Sequence, residues 1–175
     1  FRWAYTEGQE AAPPDETSVA FPYAGYYIMR TSWAPDAVWA LFDGGPFGYG
    51  HQHEDKLNLL LYAYGHLLLT EAGNYAYDSS EMRRYVLSTR AHNTIRIDGQ
   101  DQNRRSNYDR EAFDVTERAG AQWHSTDAYD VVEATYDEGY GPDADCTVTH
   151  RRKVVFVKGG LGGLGLCLLV YDRLV

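Results

Sequence analysis

Cysteine, long apolar runs and net positive charge are all scarce in this 175-residue sequence, and each scarcity narrows the reading. The two cysteines, Cys146 and Cys167, have no metal-site spacing, so a thiolate zinc site is not expected; a disulfide and two buried thiols both stay open. No apolar run approaches the roughly 20 residues of a membrane-spanning helix, so membrane insertion is not expected. Lys and Arg number 16 against 25 Asp and Glu, a net charge of -9 that weighs against a duplex nucleic-acid partner. One local basic groove for an acidic ligand is compatible with that total. No internal repeat appears, and no G-x-S-x-G supplies a hydrolase nucleophile. An initiator Met and a signal peptide are also missing, and the last residues read as a strand. The chain is therefore expected to be part of a longer protein, truncated at its C-terminus.

What is present is a sequence long enough for one domain with a substantial core. Short runs rich in Val, Ile, Tyr and Leu alternate with Gly, Asp, Asn and Pro, the pattern of an all-β domain. Strands are expected at Gly25–Thr31, Ala37–Asp43, Leu57–Tyr64, His66–Thr70, Thr94–Asp98, Ala112–Glu117, Val131–Tyr136, Thr147–Lys158 and Leu166–Asp172. One short helix is expected over Ser80–Thr89, capped by Ser79 or Ser80. Residues 1–19, rich in proline and acid, read as a linker or loop. The 15 tyrosines suit a half-buried sheet face and also a sugar-binding surface. The glycine run at Gly159–Gly165 is followed by the strand-like "LCLLVYD", which makes it a hairpin connection and a poor phosphate loop.

The stretch "GYGHQHEDKLNLLL" places His51 and His53 one residue apart at the mouth of an apolar run. On an extended segment residues i and i+2 share a face, so both imidazoles would point the same way. That suits a metal, or a metal ligand beside a catalytic base. Glu71 closes the run "HLLLTEAG", where an unpartnered carboxylate would be costly, and His92 lies in "STRAHNTIRIDG". Two histidines and a carboxylate are a common zinc set; a polar network inside a sandwich is the other reading of His53, Glu71 and His92. His66, His124 and His150 are expected to be incidental, the last two in exposed stretches.

These pieces together carry a resemblance. The G-H-x-H-x-D stretch at Gly50–Asp55, the acidic residue before a Gly-x-Tyr turn at Glu71–Tyr75, and the A-H-N-T stretch at Ala91–Thr94 resemble the heparinase II/III-like polysaccharide lyases, which include oligoalginate lyases. The stretch "FPYAGYYIMRTSW" is similar to that family's entry into its β domain. The resemblance implies an antiparallel β-sandwich over residues 20–175, preceded in the whole protein by a toroid of α-helices. It implies β-elimination of uronic-acid-containing polysaccharide, either alginate or a glycosaminoglycan such as heparan sulfate. A non-catalytic carbohydrate-binding or structural sandwich that keeps the zinc site is the alternative.

Residue by residue, the resemblance makes His51 catalytic and gives His53, Glu71 and His92 one structural zinc. The family's carboxylate ligand is usually Asp, and here it is Glu. Tyr75, Tyr77 and Arg84 are expected substrate contacts, and Asp55 is placed to orient His51 or His53. The partners implied are an acidic polysaccharide and the helical domain, which in that family supplies a catalytic Tyr and an Asn or His. The isolated chain is accordingly expected to be inactive. A periplasmic or secreted setting is what the resemblance favours.

Overall fold

Period-two burial builds two antiparallel sheets. The structure is a computed structural model and describes residues 12–103, 113–159, 162–163 and 165–175. The first sheet runs β1 (Val19–Phe21), β2 (Tyr26–Arg30), β3 (Trp39–Asp43), β4 (Asn58–Ala63) and β5 (His66–Leu69), in that order. The second runs β6 (Gln122–Ser125), β7 (Tyr129–Tyr136), β8 (His150–Val157) and β9 (Cys167–Leu174), also in chain order. Every connection within a sheet is an antiparallel neighbour, so each sheet is a meander.

In β2 and β3 the inward residues are Tyr27, Met29, Ala40 and Phe42, and they lie opposite one another as Tyr27↔Phe42 and Met29↔Ala40. Val132 and Ala134 of β7 and Val154 and Phe156 of β8 form the facing layer. All eight belong to one buried cluster, so the sheets pack face to face as a sandwich. The Tyr27 and Trp123 rings, from opposite sheets, sit 5.6 Å apart. Each fully buried large side chain here contributes roughly 1.5–3 kcal/mol.

Turn chemistry fixes the register. Tyr64 and Gly65 link β4 to β5 with φ of 54° and 78°, the mirror-image turn whose twist suits a two-residue hairpin. Gly25 is required for another reason. A Cβ there would lie 2.1 Å from the Gly45 Cα, so the loop leaving β3 can cross β2's entry only over a glycine. That loop, residues 44–57, carries His51 and His53. The helix α1 (Glu81–Leu87) is capped by Ser80, whose Oγ accepts from the Arg83 amide at 3.1 Å. A 3-10 turn (Thr89–Ala91) follows and ends at His92.

Several expectations need correction. Thr94–Asp98 is not a strand: the Thr94 hydroxyl donates to the Lys56 carbonyl at 2.8 Å, and Ile97 makes only an isolated bridge to Gln100 around a turn at Asp98 and Gly99. The expected strand Ala112–Glu117 begins outside the described residues, and its described part, 113–117, is not extended pairing. Two short strands were not expected. In β1 only three residues pair, and in β6 Trp123 is partly buried while its neighbours are exposed. His150, expected in an exposed stretch, is fully buried on β8. Both cysteines are free thiols, Cys146 exposed and Cys167 half-buried. The glycine run joins β8 to its antiparallel neighbour β9, a strand connection as expected, although residues 160, 161 and 164 lie outside the described residues.

Candidate metal centre and adjoining cleft

The loop 44–57 has no regular structure, so polar side chains hold it. Gln102 accepts from the Lys56 amide at 2.8 Å and donates to the Lys56 carbonyl at 2.9 Å. Asn58, at the start of β4, is buried; its Oδ1 accepts from the amides of Leu59 and Asn93, both at 2.9 Å, and its Nδ2 donates to Glu71 Oε2 at 2.8 Å. From the second sheet, Arg152 reaches across to donate to the carbonyls of Leu57 at 2.8 Å and Asn93 at 2.5 Å. Asp172 on β9 receives Arg152 Nε at 2.7 Å and His150 Nε2 at 2.7 Å. The sandwich thus grips both chain segments that flank the site.

Within this frame His53, Glu71 and His92 bring one ligand atom each to within 4.8 Å of one another. They come from three segments: the loop, the end of the β5 run, and the residue after the 3-10 turn. The His53 and His92 rings are 5.2 Å apart. His92 is buried, and its Nδ1 lies 2.8 Å from Glu71 Oε1, yet neither ring nitrogen makes an aligned hydrogen bond. Its Nε2 has no hydrogen-bond partner, and a buried imidazole nitrogen left that way is costly on its own. Close but unaligned donor and acceptor atoms are what ligands sharing one cation show, and the donor set is one that zinc takes. The three residues therefore fit a metal ion. Burial alone would raise the Glu71 pKa; His92 and the Ala72 amide outweigh it and hold the carboxyl below its usual value.

His51 is placed differently. The expectation of an extended segment does not hold, because His51 has φ of 59° and lies in an irregular turn. Its side chain is exposed, with Nδ1 2.9 Å from the Tyr77 hydroxyl and the two rings edge to face at 5.6 Å. Asn74 stands between the two histidines. Its Nδ2 lies 2.8 Å from the Tyr77 hydroxyl and 3.3 Å from His51 Nδ1, while its Oδ1 lies 3.3 Å from His53 Nε2. Arg83 of α1 donates to Asn74 Oδ1 at 2.6 Å and to the Asn74 carbonyl, with its guanidinium 5.0 Å from the Tyr77 ring centroid.

Of the expected substrate contacts, Tyr77 joins this cluster. Tyr75 is exposed nearby in the same turn at φ 53°, and Arg84 is turned to the Ser79 carbonyl at 2.5 Å. Asp55 faces His53 and His92 electrostatically; burial raises its pKa and those two imidazoles pull it back. A cleft of about 180 Å³ lined by Tyr26, Asp43, His51, His53, Asp55 and Lys56 opens beside the metal group. A larger cleft of about 360 Å³ runs along Phe47 and Arg118 without reaching the histidines. Asp43 is pushed up to about 7, chiefly by burial and further by Asp55 and Glu71, against the Gly45 amide and Lys56.

A family model described as Heparinase II/III-like, C-terminal, matches residues 13–174. The chain belongs to the heparinase II/III-like family. Two curated heparin-sulfate lyases are relatives. One, from Bacteroides stercoris, is 26% identical over 160 residues, which is 89% of this chain and 22% of that protein. The other, from Pedobacter heparinus, is 26% identical over 156 residues, 87% of this chain and 21% of that protein. This heparinase II/III-like chain thus spans about a fifth of the curated relatives it matches. The crystal structure of heparan sulfate lyase HepC from Pedobacter heparinus superposes on 99% of it with a TM-score of 0.73 at 23% identity, covering 24% of that chain. A structure titled "Heparinase III-BT4657 gene product" gives the same TM-score and identity. These likenesses show the fold, a β-sandwich, as expected.

Asn74, Arg83, Asn58 and Arg152 were not singled out in the sequence. Asn58 had a signal: it is the one polar residue between Leu57 and Leu59. Arg83 and Arg84 are adjacent, and only the phase of α1 decides which one faces Tyr77.

Proposed function

We propose that this chain is the sandwich part of a polysaccharide lyase that breaks uronic-acid-containing polysaccharide by β-elimination. The observation that carries the proposal is the division between two neighbouring histidines. His53 turns toward the half-buried Glu71 and the buried His92, whereas His51 stays exposed beside the Tyr77 hydroxyl. Family membership and the heparin-sulfate lyase relatives support the reaction class. Their names favour a glycosaminoglycan over alginate as the polymer.

His53, Glu71 and His92 would hold one zinc ion. When bound, it supplies a fixed positive charge that orders the loop and the turn at Asn74. In the reaction a base takes the proton from C5 of the uronate. The electron pair forms the C4–C5 double bond, the C4–oxygen bond breaks, and an acid protonates the departing oxygen. The C6 carboxylate makes C5 a weak acid until its charge is met by a donor or cation. His51 is the residue of this chain placed for that work, exposed beside the Tyr77 hydroxyl. Tyr75, Tyr77 and the cleft walls serve substrate contact, and Asp55 steadies the His53 side.

The remaining groups belong to the helical domain of the whole protein, so the isolated chain is expected to show no turnover. The test is the full-length protein with heparan sulfate and, separately, alginate oligomers, following ultraviolet absorbance of the unsaturated uronate. Product from heparan sulfate that His51→Ala abolishes is the expected result. No unsaturated product from either polymer would overturn the proposal.

A further inference from the structure

Asn74 touches both halves of the site, and the direction of each of its hydrogen bonds follows from its partners. A guanidinium has only donors. Arg83 Nη1 lies 2.6 Å from the amide of Asn74, so the atom facing it is the oxygen. A flipped amide would set an NH2 group against a donor. The nitrogen, Nδ2, must then face Tyr77 and His51, and it only donates. Asn74 therefore donates a hydrogen bond to the Tyr77 hydroxyl at 2.8 Å. The hydroxyl already accepts that bond, and its own proton goes to the nearest acceptor, His51 Nδ1 at 2.9 Å. His51 Nδ1 consequently carries a lone pair, and the neutral ring has its proton on Nε2.

At the other end, Asn74 Oδ1 lies 3.3 Å from His53 Nε2. One amide, oriented by one arginine, touches both imidazoles. The helix phase that aims Arg83 is itself fixed by the Ser80 cap on the Arg83 amide.

We propose that Asn74 is a positioning residue that keeps the His51 proton on Nε2, making that nitrogen a donor to the carboxylate of a uronate substrate. Among the described residues, Nε2 of His51 has no hydrogen-bond partner, so it is available to a ligand. The role in substrate binding rests on the lyase reading; the position of the proton does not.

Neutron diffraction from deuterium-exchanged crystals of the full-length protein at neutral pH reads the protons directly. Deuterium is expected on His51 Nε2 and absent from Nδ1. Asn74→Asp keeps the size but removes the donor. The Tyr77 hydroxyl then donates to the new carboxylate, and the His51 proton moves to Nδ1. In kcat/KM for the polysaccharide, Asn74→Asp should lose about 100-fold more than Asn74→Ala, the cost of one misplaced donor. Alanine removes the donor without adding an acceptor, so the Tyr77 hydroxyl can donate to His51 or accept from it, and part of the Nε2-protonated ring survives. Deuterium on Nδ1 of the wild type, on both nitrogens, or on Nε2 in both proteins would overturn the proposal. So would equal losses in the two variants. If the full-length protein makes no unsaturated product, the lyase reading fails, while the proton positions still decide the role of Asn74.

Discussion

Replacing Arg152 with Met tests how the second sheet supports the site. Arg152 is 6% exposed and its guanidinium has three tasks. It donates to the Leu57 and Asn93 carbonyls and pairs with Asp172 through Nε at 2.7 Å and Nη2 at 3.1 Å. Methionine fills most of the stem volume and restores none of these bonds. Two charge-assisted bonds to carbonyls, at about 1.5 kcal/mol each, give about 3 kcal/mol. Asp172 loses its cation as well, but its side chain is 25% exposed and keeps the His150 bond, so water offsets part of that cost. The sum, about 3–4 kcal/mol, matches what breaking a buried pair from one side usually costs. It is a large part of the roughly 5–15 kcal/mol that holds a domain folded. Urea unfolding of the chain, followed by the fluorescence of its four tryptophans, measures it. Because Asn93 and Leu57 adjoin His92 and Asn58, zinc retention should weaken in the same variant. A loss below about 1 kcal/mol, small even for one such bond, would refute the view that Arg152 clamps the two segments.

Three further outcomes are expected. Glu71→Gln removes one ligand charge and should lower both zinc content, read by elemental analysis, and thermal stability; unchanged zinc would remove Glu71 from the ligand set. Asp43 is pushed up to about 7 in the fold, so its contribution is present below the carboxylate's ordinary value and is lost as pH rises toward 7. Asp43→Asn should therefore gain in melting temperature relative to wild type on going from pH 5 to pH 8; a pH-independent difference would contradict that. His150 has its pKa lowered, mainly by burial and against the pull of Asp172, so the unfolded state binds its proton first on acidification. Stability should fall as pH drops below the ordinary histidine value, and His150→Gln should flatten that part of the profile.

Much of the fold was legible because burial alternates along the strands. Val132, Ala134 and Tyr136, or Tyr27 and Met29, mark an inward face by themselves. Thr94–Asp98 misled because Thr and Ile read as strand while the Thr94 hydroxyl and the Asp98–Gly99 turn serve the site loops. His150 looked exposed because Arg and Lys surround it, yet Arg151 and Lys153 point outward and pair with Glu133 while His150 and Arg152 point in. His53, Glu71 and His92 were legible from residue type and family pattern, and the structure brings them together. Asn74 was not, since an amide in a Gly-Asn-Tyr turn reads as turn chemistry. Its importance lies in two loops and a helix meeting, which no local pattern encodes.

The division between His51 and His53 is tested most directly by zinc content and lyase rate measured together on His51→Ala and His53→Ala of the full-length protein. His51→Ala should keep its zinc and its melting temperature while losing turnover by orders of magnitude. His53→Ala should lose zinc and stability, with turnover falling as a result. Equal zinc loss in both variants would make His51 a ligand and contradict the assignment, and full turnover by His51→Ala with zinc in place would contradict it too.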